Sequence, residues 1–529
     1  MSVRLARSAG LISIATMGSR LLGVAREVVL AAMFGASSGP AMDAYNVAFR
    51  VPNLLRDLFA EGAMTAAFVP TFTRTLNARG REAAWRLGNL VMNALIVATT
   101  VVVVLGIVLA DPITRVLASG HAFQTVPGKF DLTVQLTRVM MPFLTTVAVA
   151  VAMMGMLNSL HKFFVPAFSP AMFNIATIVC AFALVPVMPY FGLPKIAGIA
   201  IGTVLGGLGQ IAVQWPSLRK EGFRYQPILD FRDPALREIL RLMGPGTLGL
   251  AAVQINVAVN TALASTQPEG SVSFLQYAFR LMYLPIGLFG VSIATAALPD
   301  LSKQAGETDK APMRSTISAG LRMMLMLNVP ATIGLIALAG PIVELILQRG
   351  QFQPKDTAAT AAALMFYAPG LLGYSAVKIA SPSFYALGDS RTPVITSVAS
   401  VLFNLMLNLV LVQFLGYRGL ALGTAIAALF NAVTLLVLLS RRLDGLEEPR
   451  LFSAFVKIVI ASVAMGLVAH FVSDWLVTVL PGGSLQRKGI RVFGAIGVAV
   501  VVLIATARLL RIEELNDAIK SVTRRLGRR

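Results

Sequence analysis

Apolar residues run along the chain in long blocks separated by short polar turns, and the blocks are long enough to cross a bilayer as helices. They fall at 10–34, 42–69, 88–110, 132–160, 166–187, 195–215 and 238–265. A second set falls at 272–299, 318–340, 359–387, 393–415, 418–440, 452–479 and 488–510. The pattern predicts an all-α polytopic membrane protein with about fourteen transmembrane helices. An even number returns both termini to the same side. Basic residues accumulate in cytoplasmic loops, and here they cluster in alternate connections. Arg74, Arg79, Arg81 and Arg86 form one group, and Arg219, Lys220, Arg224, Arg232, Arg237 and Arg241 a second. Lys303, Lys310 and Arg314, then Arg441, Arg442 and Arg450, fall on the same side as the basic tail. The opposite loops are poor in base. Both termini are therefore expected in the cytoplasm, with Arg4 and Arg7 flanking the first span rather than opening a cleaved signal.

The blocks also repeat. Residues 43–67 align without a gap onto 273–297: AFR occurs at 48–50 and 278–280, and LFxxxxxTAA at 58–67 and 288–297. GIAIGT at 198–203 returns as GLALGT at 419–424, and FNI at 173–175 as FNL at 403–405. Helices one to six are thus copied as seven to twelve. The predicted organisation is an N-lobe at 1–220 and a C-lobe at 221–445, two pseudo-symmetric six-helix lobes. An extra helix pair follows at 446–511, then a basic cytoplasmic tail at 512–529. Because six is even, both copies enter the membrane in one orientation, which places the binding site at the interface between the copies.

Composition sharpens this picture. The 529 residues are 56% hydrophobic and 13% charged, with mean hydropathy +0.75, outside the range of ordinary soluble domains. A net charge of +20 would suggest nucleic acid in a soluble protein. In this chain the basic residues sit in loops and the tail, where they set orientation, so no nucleic-acid partner is expected. The lone Cys180 excludes a disulfide framework. His121, His161 and His470 show no metal spacing, and no GxxxxGK[ST] loop occurs. The reading is a transporter without a metal or cofactor, not an enzyme.

Charges inside the apolar blocks are the informative exceptions. The first helix carries Arg20, Arg26 and Glu27, and the second Asp43, Arg50, Arg56, Asp57 and Glu61. With Arg50 at zero, Asp43 falls at about +20°, Asn46 at about −40°, Asn53 at about −60°, Asp57 at about −20° and Glu61 at about +20°. The stripe is about 27 Å long. A charge at the bilayer centre costs about 2.5–3.5 kcal/mol, so the stripe is expected to line a water-filled cavity for an anionic substrate. The alternative is a structural lock joining Arg20 or Arg26 to Asp43 or Glu61. Arg56 falls about 120° from Arg50, although Pro52 is expected to kink the helix and reset its phase. In the second copy Ser273, Gln276 and Arg280 take the places of Asp43, Asn46 and Arg50. Planar guanidinium groups suit bidentate recognition of phosphate or carboxylate. Asn174, Asn256, Asn260, Asn404 and Asn408 suit interhelical hydrogen bonds or an ion site, and Lys378 a substrate contact or a snorkelling side chain.

Three stretches carry a family resemblance: SRLLGVARE at 19–27, DAYNVAFRVPNLLRDLFAEGAMTAAFVP at 43–70 and SVSFLQYAFRLMYLPIGLFG at 271–290. With VKIASPSFYALGDSRTP at 377–393, the chain resembles the MurJ (MviN) family of lipid II flippases, in the multidrug/oligosaccharidyl-lipid/polysaccharide exporter superfamily. The resemblance implies two lobes alternating around a central cavity in the bacterial inner membrane, moving lipid-linked peptidoglycan precursor to the outer leaflet. Substrate-binding positions carried over are Arg20, Arg26, Asp43, Asn53, Arg56, Glu61, Ser273 and Arg280, with Arg26, Arg56 and Arg280 matching the arginines that receive the diphosphate; Ser19 and Arg50 complete the set of candidate substrate-binding residues. It implies lipid II and membrane lipids as partners, with cell-wall synthesis machinery as a further candidate, and a lipid-tail groove on the extra helix pair. Phe279 departs from relatives that carry an acidic residue there. The helix-seven and helix-eleven candidates for a sodium site are all amides. Alternatives are an exporter of another polyprenyl-diphosphate-linked oligosaccharide, a cation-coupled drug antiporter, and a membrane glycosyltransferase, which would need a catalytic acidic loop.

Overall fold

The computed structural model describes residues 3–58, 62–286 and 301–515, and these are helical without a strand. The helices are α1 (Val3–Phe34), α2 (Ala41–Arg56), α3 (Gly62–Val108), α4 (Ala110–Leu117), α5 (His121–Thr125), α6 (Lys129–Met140) and α7 (Phe143–Ser159). They continue as α8 (Phe164–Ala183), α9 (Ala197–Lys220), α10 (Pro234–Ser265), α11 (Ser271–Pro285), α12 (Ala311–Ala337) and α13 (Ala339–Leu347). The last are α14 (Pro354–Tyr367), α15 (Gly370–Ala386), α16 (Arg391–Leu415), α17 (Tyr417–Arg442), α18 (Glu448–Val479) and α19 (Leu485–Leu509). Every expected apolar block contains a helix; 287–299 of the eighth, Glu61, and 516–529 of the tail lie outside the described residues.

Among the described residues, nine helices are long and apolar enough to cross a membrane, and α14 with α15, bent by 43°, makes a tenth. Length and apolarity thus account for nine or ten of the fourteen spans expected. The other four blocks are α1, α2, α10 and α11. The first, second and fourth carry the arginines and carboxylates singled out above, and α10 carries Asn256 and Asn260.

Contacts divide the chain into two compact units, Met1–Ser273 with Arg349–Phe352, and Phe274–Gln348 with Gln353–Arg529. In the first unit the core lies where α3 and α7 pack, built on Phe68, Phe72, Leu90, Met153, Met156 and Leu157. Gly80, at φ +81°, breaks α3 in a conformation that glycine adopts without a Cβ penalty. That break separates the second and third expected blocks and sits among Arg74, Arg79, Arg81 and Arg86. Segment 223–228 is pinned over α3 by two asparagines. Asn89 exchanges bonds with Arg224 O (3.0 Å) and Gln226 N (3.0 Å). Asn93 donates to Gln226 O (2.7 Å) and Ile228 O (2.9 Å) and accepts from the Tyr225 hydroxyl (2.8 Å). Asn93→Ala leaves two carbonyls and a hydroxyl without these partners, which costs about 1–3 kcal/mol. A lower melting temperature of the purified protein is expected, and an unchanged one would show that water replaces the amide.

In the second unit, Met313, Ile317 and Leu321 of α12 pack with Ile379 and Phe384 of α15 and Leu435 and Leu439 of α17. A further cluster joins α12 and α18 to Ile512 and Leu515 beyond α19, where Arg322 Nη1 meets Glu514 Oε1 at 2.9 Å.

Candidate functional site

The polar stripe on α2 is graded along its length. Asp43 and Asn46 are buried, whereas Arg50, Asn53, Arg56 and Asp57 are half-buried. At the buried end both carboxylate oxygens of Asp43 are taken. Oδ1 accepts from the Ser273 backbone N–H (3.0 Å) and hydroxyl (2.6 Å). Oδ2 accepts from the Gly270 N–H (2.9 Å) and Lys129 Nζ (3.0 Å). Asn46 Nδ2 donates to the same Ser273 hydroxyl at 3.1 Å. Lys129 is only 1% exposed, with its ammonium 4.5 Å from the centre of the Phe123 ring. A buried ion pair is tolerated when geometry and extra hydrogen bonds offset desolvation, and this one meets that condition.

The lock anticipated for Asp43 therefore exists with another cation. Neither Arg20 nor Arg26 pairs with it; Lys129, at the start of α6, does. Sequence reading missed Lys129 because the apolar block begins at 132, three residues later. The usable signal was the buried carboxylate itself, which needs a cation.

On α1 the three singled-out positions differ. Arg20 is exposed, and the Ser19 carbonyl accepts from Asn174 Nδ2 of α8 at 3.2 Å. Arg26 is 5% exposed; Nη2 donates to the adjacent Glu27 at 2.6 Å and Cζ lies 4.7 Å from the centre of the Phe173 ring. Its Nε is buried without a hydrogen-bond partner among the described residues. At the far end of α2, Arg56 donates to Asp57 Oδ1 from Nε (3.1 Å) and Nη2 (2.8 Å), and Gln254 Nε2 of α10 reaches Asp57 Oδ2 at 3.4 Å. The helix runs through Pro52 rather than stopping there, and the irregularity falls later, in a π-type turn at Asp57 and Leu58. Glu61 lies outside the described residues.

In the second unit Arg280 is half-buried on α11. Asn408 Nδ2 donates to Asn404 Oδ1 at 3.2 Å within α16, and Lys378 is exposed. The GDSRTP turn of the 377–393 stretch builds the start of α16. Asp389 accepts from Arg391 N, Thr392 N and the Thr392 hydroxyl, and pairs with Arg442 at 2.5 Å. Hydrogen bonds from Thr392, with a smaller contribution from Arg442, hold its carboxyl below the usual range. That role is structural.

A family model described as lipid II flippase MurJ matches residues 30–485. The chain is 33% identical over 527 residues to a probable lipid II flippase MurJ of Vibrio cholerae, covering 98% of this chain and 99% of the relative. Among solved structures it is similar to a lipid II flippase MurJ in an inward closed conformation, with TM-score 0.77 and 28% identity over 94% of this chain and 99% of the other. An inward-facing MATE family multidrug resistance transporter of the MOP superfamily aligns with TM-score 0.69 over 83% of this chain and 99% of that one. Its 17% identity speaks for the fold alone. The chain is a multi-span helical membrane protein that belongs to the MurJ lipid II flippase family.

Proposed function

We propose that the chain moves lipid II from the cytoplasmic to the outer leaflet of the bacterial inner membrane by alternating access of its two six-helix copies. No covalent chemistry is involved. The diphosphate is received by Arg26, Arg56 and Arg280, with Arg20, Arg50 and Asn53 nearby in the polar path, and both termini face the cytoplasm. The observation that carries this reading is Arg26. A guanidinium buried in an apolar helix, with one neighbouring carboxylate and an unused Nε donor, matches an anion with oxygens to spare. Asp43, Ser273 and Asn46 serve the same cycle differently, as contacts that hold one state and must part in another. The lipid tail stays in the bilayer beside 446–511.

The test is the leaflet accessibility of lipid II in cells depleted of their native flippase and supplied with variants. Arg26→Ala, Arg56→Ala and Arg280→Ala each remove a charged hydrogen bond, so each is expected to slow flipping about 10- to 100-fold. Normal flipping and growth with all three would overturn the diphosphate assignment.

A further inference from the structure

The FNI motif at 173–175, which returns as FNL at 403–405, has different surroundings in the two copies. In the first, α8 holds α1 through both leading residues of the motif. Asn174 Nδ2 donates to the Ser19 carbonyl at 3.2 Å, and the Phe173 ring centre lies 4.7 Å from Arg26 Cζ. That ring is itself held. Phe49 of α2 stacks on it at 5.7 Å and 19°, and Phe143 of α7 meets it at 5.4 Å and 45°. Helix α9 passes so close that a Cβ at Gly206 would stand 2.9 Å from Phe173 Cα and 3.0 Å from Cδ2. Phe49 in turn stacks on Tyr45 at 6.0 Å and 1°, and the Tyr45 hydroxyl meets Thr203 Oγ1 of α9 at 3.2 Å. In the second copy Phe403 meets Phe430 at 4.7 Å and 41°, with no cation over its face among the described residues. The register that carries Phe173 to Phe403 carries Arg26 to Asn256.

We propose that Phe173 is a positioning residue for the diphosphate site: its ring holds the Arg26 guanidinium and so aims the N–H edge at the phosphate oxygens. The inference rests on Arg26 as a diphosphate ligand. A guanidinium recognises phosphate through parallel N–H donors that lie in its own plane. A carboxylate or amide neighbour orients that plane only by taking some of those donors. An aromatic face attracts the cation through its ring electrons and takes none. Glu27 uses one donor of Arg26, Nη2, at 2.6 Å, while Nε is buried without a hydrogen-bond partner among the described residues. The ring therefore orients the group and leaves donors for an anion. Burial strengthens the contact, since Arg26 is 5% exposed and water competes little for its charge. Where the second copy has an amide at 256 there is no cation to aim, and the equivalent ring packs on Phe430.

The experiment measures binding of undecaprenyl diphosphate to the full-length protein in phosphatidylethanolamine/phosphatidylglycerol nanodiscs. Phe173→Leu is expected to weaken binding about five- to thirtyfold. Phe173→Tyr keeps the ring and is expected to bind as the unsubstituted protein does. Phe403→Leu removes the equivalent ring from the second copy and is expected to change nothing. In an Arg26→Ala background, Phe173→Leu is expected to add no further loss, because the ring acts only through the guanidinium; a merely structural ring would add its full effect there. Phe173→Met keeps bulk without a ring face and replaces Phe173→Leu, with the same loss expected, if that variant does not fold. Normal or tighter binding on loss of the ring, a further loss in the Arg26→Ala background, or Phe173→Tyr or Phe403→Leu as weak as Phe173→Leu would overturn the role of Phe173. Arg26→Ala is the separate arm: if it alone binds normally, the diphosphate assignment fails and the ring has nothing to aim.

Discussion

Asp43→Ala is expected to unfold or inactivate the protein, and the double substitution Asp43→Ala with Lys129→Met to recover most of the lost stability. The single change removes four hydrogen bonds and leaves an ammonium, 1% exposed, with only the Phe123 ring for company. Removing one partner of a buried pair costs about 3–5 kcal/mol, whereas replacing both with apolar groups is often near neutral. Asp43→Asn separates charge from hydrogen bonding, since the amide still accepts from Gly270 or Ser273 but cannot neutralise Lys129. The measurement is a double-mutant cycle on the melting temperature, which isolates the pair from its surroundings. Melting temperatures that fall equally in the single and double variants would mean that Lys129 is indifferent to Asp43. Transport is a second readout, because the double variant restores burial but not the bonds to 270–273.

Gly373→Ala has an effect of similar size for a purely steric reason. A Cβ at Gly373 would stand 2.4 Å from the carbonyl carbon of Ala428 and 2.5 Å from its oxygen, and one at Gly370 would stand 3.0 Å from Ala425 Cα. Those neighbours are backbone, so α15 and α17 must separate rather than repack a side chain. Small residues at the interface are how membrane helices achieve so close an approach, since lipid provides no hydrophobic drive for association. The expected result is loss of monodisperse protein in detergent chromatography. Gly497→Ala, where a Cβ meets nothing within 4 Å, is the control, and there the better helix propensity of alanine gives about 1 kcal/mol in its favour. A well-behaved Gly373→Ala would show that the contact is looser than its geometry.

The elements were legible because they follow from apolar length. Which residues touch was less so. Asp43 stood out as a costly charge, yet Lys129 did not, because nothing local marks a lysine just outside an apolar block as a core group. Asn89 and Asn93 escaped for a related reason: their partners are backbone atoms of an irregular segment, which has no periodicity to read. Pro52 lies inside a continuous α2, and a π-type turn follows at Asp57 and Leu58, which no local sequence signal marked. A π-type turn inserts a residue, so a fixed 100° step loses its phase there.

Asp43 and Ser273 occupy equivalent places in the two copies, and they touch each other. In a dimer of one unduplicated copy, contact between equivalent places sets like against like. Two aspartates there would repel, and two serines would leave Lys129 facing no charge. The observed contact needs two sequences free to diverge, which joining the copies in one chain provides. The polarity of this contact exists because the two aligned positions carry different residues, an acceptor at 43 and a donor at 273.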